Sequence, residues 1–252
     1  MLDQFPLQAT AFLILFARVG AVLMLLPVFS EDAIPPRIRL LAAGGMTLGL
    51  WGLLSPAVLP LAGRSDAALA GVIAAELGTG LALGLVIRLM FLAISIAGSI
   101  ISLQVGLSSA VIFDPAQSSS APEVSRFLAV AAAVVCMASG VHHLWIGGLI
   151  KSYSAFPVGT VLPAADLAQL AVRVAGDAMT LGVSLAAPLI VYGIVFNVAL
   201  GLAVRVAPSI QLFFIAQPLN LLLGLGIVAS TAGATLTAFA AAMAQSMQRI
   251  WG

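Results

Sequence analysis

Residues 67–113 read AALAGVIAAELGTGLALGLVIRLMFLAISIAGSIISLQVGLSSAVIF, an apolar block of 47 residues without a proline. About 20 apolar residues suffice to cross a bilayer, and 47 residues in one helix would reach roughly 70 Å at 1.5 Å per residue. The block therefore either folds back as a hairpin or forms one helix that outreaches an ordinary bilayer. Its far end runs into a small and polar segment, Gly106–Glu123, reading Gly-Leu-Ser-Ser-Ala-Val-Ile-Phe-Asp-Pro-Ala-Gln-Ser-Ser-Ser-Ala-Pro-Glu. Backbone that cannot be helical is costly at membrane depth unless protein buries it or it lines a watery cavity. The segment is thus either a connection between spans or a break placed where passage is controlled.

The remainder of the chain is of the same character. Hydrophobic residues make up 62% and charged residues 8%, with a mean hydropathy of +1.18. Soluble domains carry about 25% charge, so this chain cannot dress itself for water and is expected in a bilayer. Ten basic and nine acidic residues leave a net charge of +1, which points to neither nucleic acid nor a polybasic lipid anchor. Cys136 stands alone in an apolar run, so no intramolecular disulfide can form. Asp3 sits where a signal peptide carries basic residues, and Leu7–Leu26 is long for a cleavable segment, so it reads as a retained first span.

The other apolar blocks are Ile38–Leu61, Phe127–Ile150, Leu167–Ala207 and Ile210–Ile250. The first span, Ile38–Leu61 and Phe127–Ile150 each fit one crossing. The last two are overlong and contain Pro188 and Pro218, which kink helices and free a carbonyl. One domain, 1–252, is the natural count, with no internal repeat. Laid out as six passes, one side receives Arg64, Lys151 and Arg249, and the other Arg37, Arg39, Arg126 and Arg205. That balance gives no orientation under the positive-inside rule. Gly80 and Gly84, and then Gly98, Ser102 and Gly106, recur at four-residue spacing, which lets helix backbones approach closely.

Polar residues inside the blocks are few: Arg18, Glu76, Arg88, Gln104, Arg173, Asp177 and Asn197. An arginine in a first span needs an acceptor, and Glu76 is the nearest intramembrane carboxylate to Arg18 in sequence. Asp166, Gln169, Arg173, Asp177 and Thr180 follow at steps of 3, 4, 4 and 3, one polar helix stripe in which Arg173 and Asp177 are spaced to pair. Such a stripe faces water, a hydrated lumen or another subunit. His142-His143 lacks partners at ligand spacing, Ser118–Ser120 have no neighbouring base, and neither a nucleophile elbow nor a P-loop is present. Catalytic, cofactor and metal sites are all expected to be absent, so the chain reads as no enzyme.

Four stretches together resemble the flagellar biosynthetic protein FliR family. They are Arg18-Val-Gly with Pro27-Val-Phe and Ile34-Pro-Pro-Arg-Ile-Arg39; Ala97-Gly98 with Gln104-Val-Gly-Leu107 and Asp114-Pro115; His142 with Ser152-Tyr153 and Phe156-Pro-Val-Gly159; and Ala199-Leu-Gly-Leu202 with Arg205-Val-Ala-Pro208, Phe213 and Pro218-Leu219. Ser209 departs from the family's usual glutamine and Val141 from its glycine. The resemblance implies an all-α polytopic membrane protein of long helical hairpins, packed in a hetero-oligomeric helical export gate. Its partners would be FliP and FliQ, with FlhB around the cytoplasmic side, unfolded export substrates in the channel, and lipid around it. It would sit in the bacterial inner membrane, within the flagellar basal body. Gly106, Val111, Ile112, Phe113, Asp114 and Pro115 would belong to a pore plug. Arg18, Glu76, Gln104, Arg173, Asp177 and Arg205 would make polar contacts in the assembly. A virulence-type secretion subunit and a small-molecule secondary transporter are the competing readings, though the transporter predicts matching halves and a midplane ionic site.

Overall fold

The computed structural model describes residues 5–30, 34–107, 123–206 and 212–251. Among these the chain is helical, without strands: α1 (Phe5–Leu25), α2 (Pro27–Ser30), α3 (Pro36–Val58), α4 (Asp66–Val105), α5 (Glu123–Ala138), α6 (Val141–Ala155), α7 (Ala164–Val206) and α8 (Leu212–Trp251). A 3₁₀ turn, Leu59–Leu61, follows α3. Among the described residues, five helices are long and apolar enough to cross a membrane, or six if α5 and α6 count as one broken span.

The described part of the 67–113 block, up to residue 105, is one helix. α4 runs 40 residues and stops at Gly106, not in a hairpin. The Phe127–Ile150 block, expected as a single crossing, is broken at Ser139-Gly140, where Gly140 has φ 78°, and its two helices count together as one broken span or as a re-entrant loop. A glycine inside an apolar run carried that signal. Pro36 opens α3 behind an extended Pro35, the position where a missing N–H costs nothing. Hydroxyls within the helices turn back onto carbonyls four residues earlier: Thr47 on Ala43, Thr79 on Ala75, Thr180 on Gly176 and Thr235 on Thr231. Each thereby satisfies itself without help from water.

The chain groups into two compact units that interleave in sequence. Unit 1 takes Met1–Met90, His142–Ala175 and Met247–Gly252; unit 2 takes Phe91–Val141 and Gly176–Ser246. In unit 1, α1 packs on α3 and, through glycines, on the first part of α4. A β-carbon at Gly80 would stand 2.7 Å from Ala21 Cβ, and one at Gly84 the same distance from Leu25 Cβ. The Gly-x-x-x-Gly pair thus marks a close backbone approach.

That approach surrounds a buried ion pair. Arg18 and Glu76 are both fully buried, and Arg18 Nε and Nη2 donate to the two Glu76 carboxylate oxygens at 2.8 Å each. Arg18 Nη1 donates to the Ser152 carbonyl at 3.1 Å and its hydroxyl at 3.3 Å, and Nη2 also donates to the Phe156 carbonyl at 3.0 Å. All five N–H groups of the guanidinium therefore have acceptors. Its flat face lies over Tyr153, with Cζ 4.1 Å from the ring centroid. Glu76 Oε1 accepts one bond more, from the Gly159 N–H at 3.0 Å. Gly159 has φ 81°, and a β-carbon there would meet Val72 at 3.2 Å, so the turn after α6 is shaped to bring that N–H inward.

Removing one partner of such a pair leaves a buried charge and costs about 3–5 kcal/mol, whereas replacing both with apolar residues is often close to neutral. Glu76→Leu alone should sharply lower the thermal unfolding temperature of the detergent-extracted protein, and the double change with Arg18→Leu should recover most of the loss. Equal loss in both variants would contradict this account of unit 1.

Candidate functional site

The segment expected to act, residues 108–122, lies outside the described residues, and with it Val111, Ile112, Phe113, Asp114 and Pro115. Its two roots are described, and both belong to unit 2. At the first, α4 ends in a paired-bond cap: Gly106 N–H donates to the Leu103 carbonyl at 3.2 Å, and Leu107 N–H to the Ser102 carbonyl at 3.1 Å. Gly106 has φ 86°, the left-handed conformation this C-terminal motif requires of its residue after the cap. The third member of the Gly98, Ser102, Gly106 series is therefore a helix stop.

Beyond the cap, two carbonyls at the end of α4 still need donors, and α8 supplies them. Asn220 Nδ2 donates to the Gln104 carbonyl at 3.3 Å and to the Val105 carbonyl at 3.2 Å. The Asn220 amide oxygen accepts from Tyr192 Oη of α7 at 2.8 Å. Gly224, one turn after Asn220, lies where a β-carbon would press within 2.8 Å of Val105. Gln104 itself covers Gly193 of α7, where any β-carbon would overlap its amide. Three helices thus converge on the point where regular backbone stops.

The second root is held differently. Ser125, two residues into α5, is buried and donates its hydroxyl to the Ser95 carbonyl of α4 at 2.9 Å. Gly98 lies against the Ser125 backbone so closely that a β-carbon would overlap it. The chain leaves α4 at Gly106 and returns to the same helix two turns lower, at Ser95–Gly98.

The remaining polar candidates are distributed elsewhere. Arg18 and Glu76 form the centre of unit 1 described above. Asp166, Gln169, Arg173, Asp177 and Thr180 are all exposed along α7. At about 100° per residue they lie opposite the buried line of Val174, Ala178, Leu185 and Leu189. The expected Arg173–Asp177 pair is not formed: among the described residues the ion pair within 4.0 Å is Arg18–Glu76. Four-residue spacing permits contact without compelling it, and an exposed pair gains little against side-chain entropy. Arg205 is exposed in the last turn of α7. The His142 and His143 rings lie side by side, centroids 4.1 Å apart, and among the described residues no three His, Cys, Asp or Glu side chains gather as a metal site would need. Asn220 and Tyr192 escaped the sequence reading. The signal was available, since Asn220 is a lone amide in the apolar run after Pro218-Leu219.

A chain whose described residues form long, largely open apolar helices, three of them meeting at the first root of the 106–123 segment, is a helical membrane protein. Comparison with known proteins gives the family. The model for bacterial export proteins, family 1, matches residues 9–246, and the chain belongs to that family, whose curated relatives are flagellar biosynthetic proteins FliR. The FliR protein of Caulobacter vibrioides is 41% identical over 226 residues, 88% of this chain and 90% of its own. That of Escherichia coli K12 is 33% identical over 220 residues, 84% and 80% of the two chains. That of Bacillus subtilis is 26% identical over 224 residues, 88% and 84%.

Leaving buried carbonyls without their donor costs about 1–3 kcal/mol. Asn220→Leu should therefore leave the protein folded but loosen the start of the 106–123 segment, seen as faster limited proteolysis within it than in the parent. A parental cleavage rate would show that Asn220 does not set that root.

Proposed function

We propose that this chain is a structural and gating subunit of the flagellar type III protein-export channel in the bacterial inner membrane. It assembles with FliP and FliQ, meets FlhB on the cytoplasmic side, and passes unfolded substrates when the 106–123 segment moves. The observation that carries the gating part is the anchoring of both roots. Asn220 and Gly106 fix the first end, and Ser125 against Gly98 fixes the second. Between those fixed ends the sequence places Val111-Ile112-Phe113, an apolar wedge, and Asp114-Pro115, a turn former. Apolar constrictions block ions by excluding water from a narrow lumen.

Open faces on α7 and α8 support assembly with other subunits. Their most apolar windows are only 11% buried, against 61% for α4, and Val191, Val195, Val198 and Leu202 are all more than half exposed on α7. Contiguous apolar surface of this extent is covered by lipid or by neighbouring helices. The exposed polar stripe of α7, with Arg173 and Asp177, then faces hydrated space or polar groups of a neighbour, because lipid would be a costly surrounding for it. Arg205 serves at the end of the same helix in the same way.

Deleting Ser108–Ala121 should leave a subunit that still assembles, since the described helix contacts at its two roots lie outside the deleted residues, but should make membranes leaky to small ions. Phe113→Ala should leak less than the deletion and more than the parent. Conductance across planar bilayers holding the purified complex measures both. An assembled deletion complex with parental conductance would reduce the segment to a linker. Native mass spectrometry of the extracted complex tests the assembly itself: a defined hetero-oligomer is expected, and a lone monomer binding a small solute would favour a secondary transporter.

A further inference from the structure

One cation is left over by both the core of unit 1 and the loop roots. Arg88 is residue 23 of the 40 in α4, about 33 Å along the helix from Asp66 and about 26 Å short of Val105. It is exposed, and among the described residues it makes no ion pair or hydrogen bond. Arg18, by contrast, is buried with every donor engaged.

The surface around Arg88 is apolar in both directions. Leu77, Leu81, Leu85, Arg88 and Leu92 follow at steps of 4, 4, 3 and 4, one face of the helix. The four leucines are 42%, 48%, 37% and 44% exposed. Leu103, three turns beyond Leu92 and 65% exposed, continues the line. Ser99 on that side has turned its hydroxyl onto the Ser95 carbonyl. The stripe thus extends about 16 Å to one side of Arg88 and about 22 Å to the other at 1.5 Å per residue. A long side chain snorkels to a headgroup only near the edge of an apolar surface, and Arg88 lies well inside this one. Lipid phosphate is therefore a poor match. An intramembrane arginine pairs with protein carboxylate or lines water, and the leucines next to it on both sides, with the Ser99 hydroxyl already bonded to its own helix, argue against a water-lined face.

We propose that this face of α4 is a docking surface for an apolar helix of another subunit, one that presents an aspartate or glutamate to Arg88. The leucines supply close packing, and the single charge pair fixes the register between the helices. One ionic contact within an apolar seam selects a partner by penalising every helix that offers no carboxylate at that level. The inference rests on the export-gate reading above, since it requires a neighbouring subunit.

The test places a photo-crosslinking amino acid at Leu85 or Leu92 in the full chain, expressed in native membranes with its assembly partners. Both positions should crosslink to one helix of one other subunit, with a carboxylate within a turn of the site identified by mass spectrometry. Arg88→Glu should lower that yield at least about tenfold, because like charges repel across a dry interface. Arg88→Lys should retain most of it, and replacing the partner's carboxylate with lysine should rescue Arg88→Glu. Crosslinks to lipid alone, to a helix without a carboxylate, or at unchanged yield in Arg88→Glu overturn the docking surface. If the hetero-oligomer is intact when they do so, the export-gate reading stands. A parent chain that forms no hetero-oligomer overturns both.

Discussion

A guanidinium buried in an apolar chain has to be met by protein on every side, and the arrangement of unit 1 follows from that demand. Arg18 has five donors. Two go to Glu76 on α4, two to Ser152 on α6, and one to the Phe156 carbonyl beyond it. The helices cannot shift independently without stranding a charge. Gly80 and Gly84 let α1 lie close enough to α4 for the bidentate pair, and Gly159 delivers the last bond to the carboxylate. Buried ion pairs are weak evidence for stability but strong constraints on arrangement. This one ties together stretches that begin 134 residues apart.

The same accounting governs unit 2 without charges. Helix ends leave carbonyls unpaired, and in a medium without water they must be answered by protein. Asn220 answers two of them at the end of α4, with Tyr192 holding its amide in place. The result is a firm boundary between regular helix and the segment beyond Gly106.

Much of this could be read in the sequence, and the failures have physical reasons. The apolar blocks gave the helices because span length and hydropathy act locally. Arg18 and Glu76 stood out because charges in apolar runs are rare, and Glu76 was the nearest carboxylate inside an apolar block. What could not be read was contact between distant segments. Four short stretches suggested the family, yet nothing in their order announced that Arg18 from the first would meet Ser152 and Phe156 from the third. Nor did it show that Gln104 and Val105 from the second would meet Asn220 directly after the fourth. The Arg173–Asp177 spacing misled because helical proximity was taken for contact, although an exposed pair has little to hold it together. The break at Gly140 was visible as a glycine but was outweighed by the apolar residues around it.

The separation between Arg18 and its partners also has a consequence for biogenesis. At about 5–20 residues per second, Glu76 is synthesised some 3–12 seconds after Arg18, because the two are 58 residues apart. Throughout that interval α1 is an insertion intermediate with an unneutralised charge. Until α4 follows, water or other protein has to meet that charge. The first helix therefore enters the bilayer not as a solitary anchor but as half of a delayed pair, and the pace of elongation through α3 becomes part of the folding pathway.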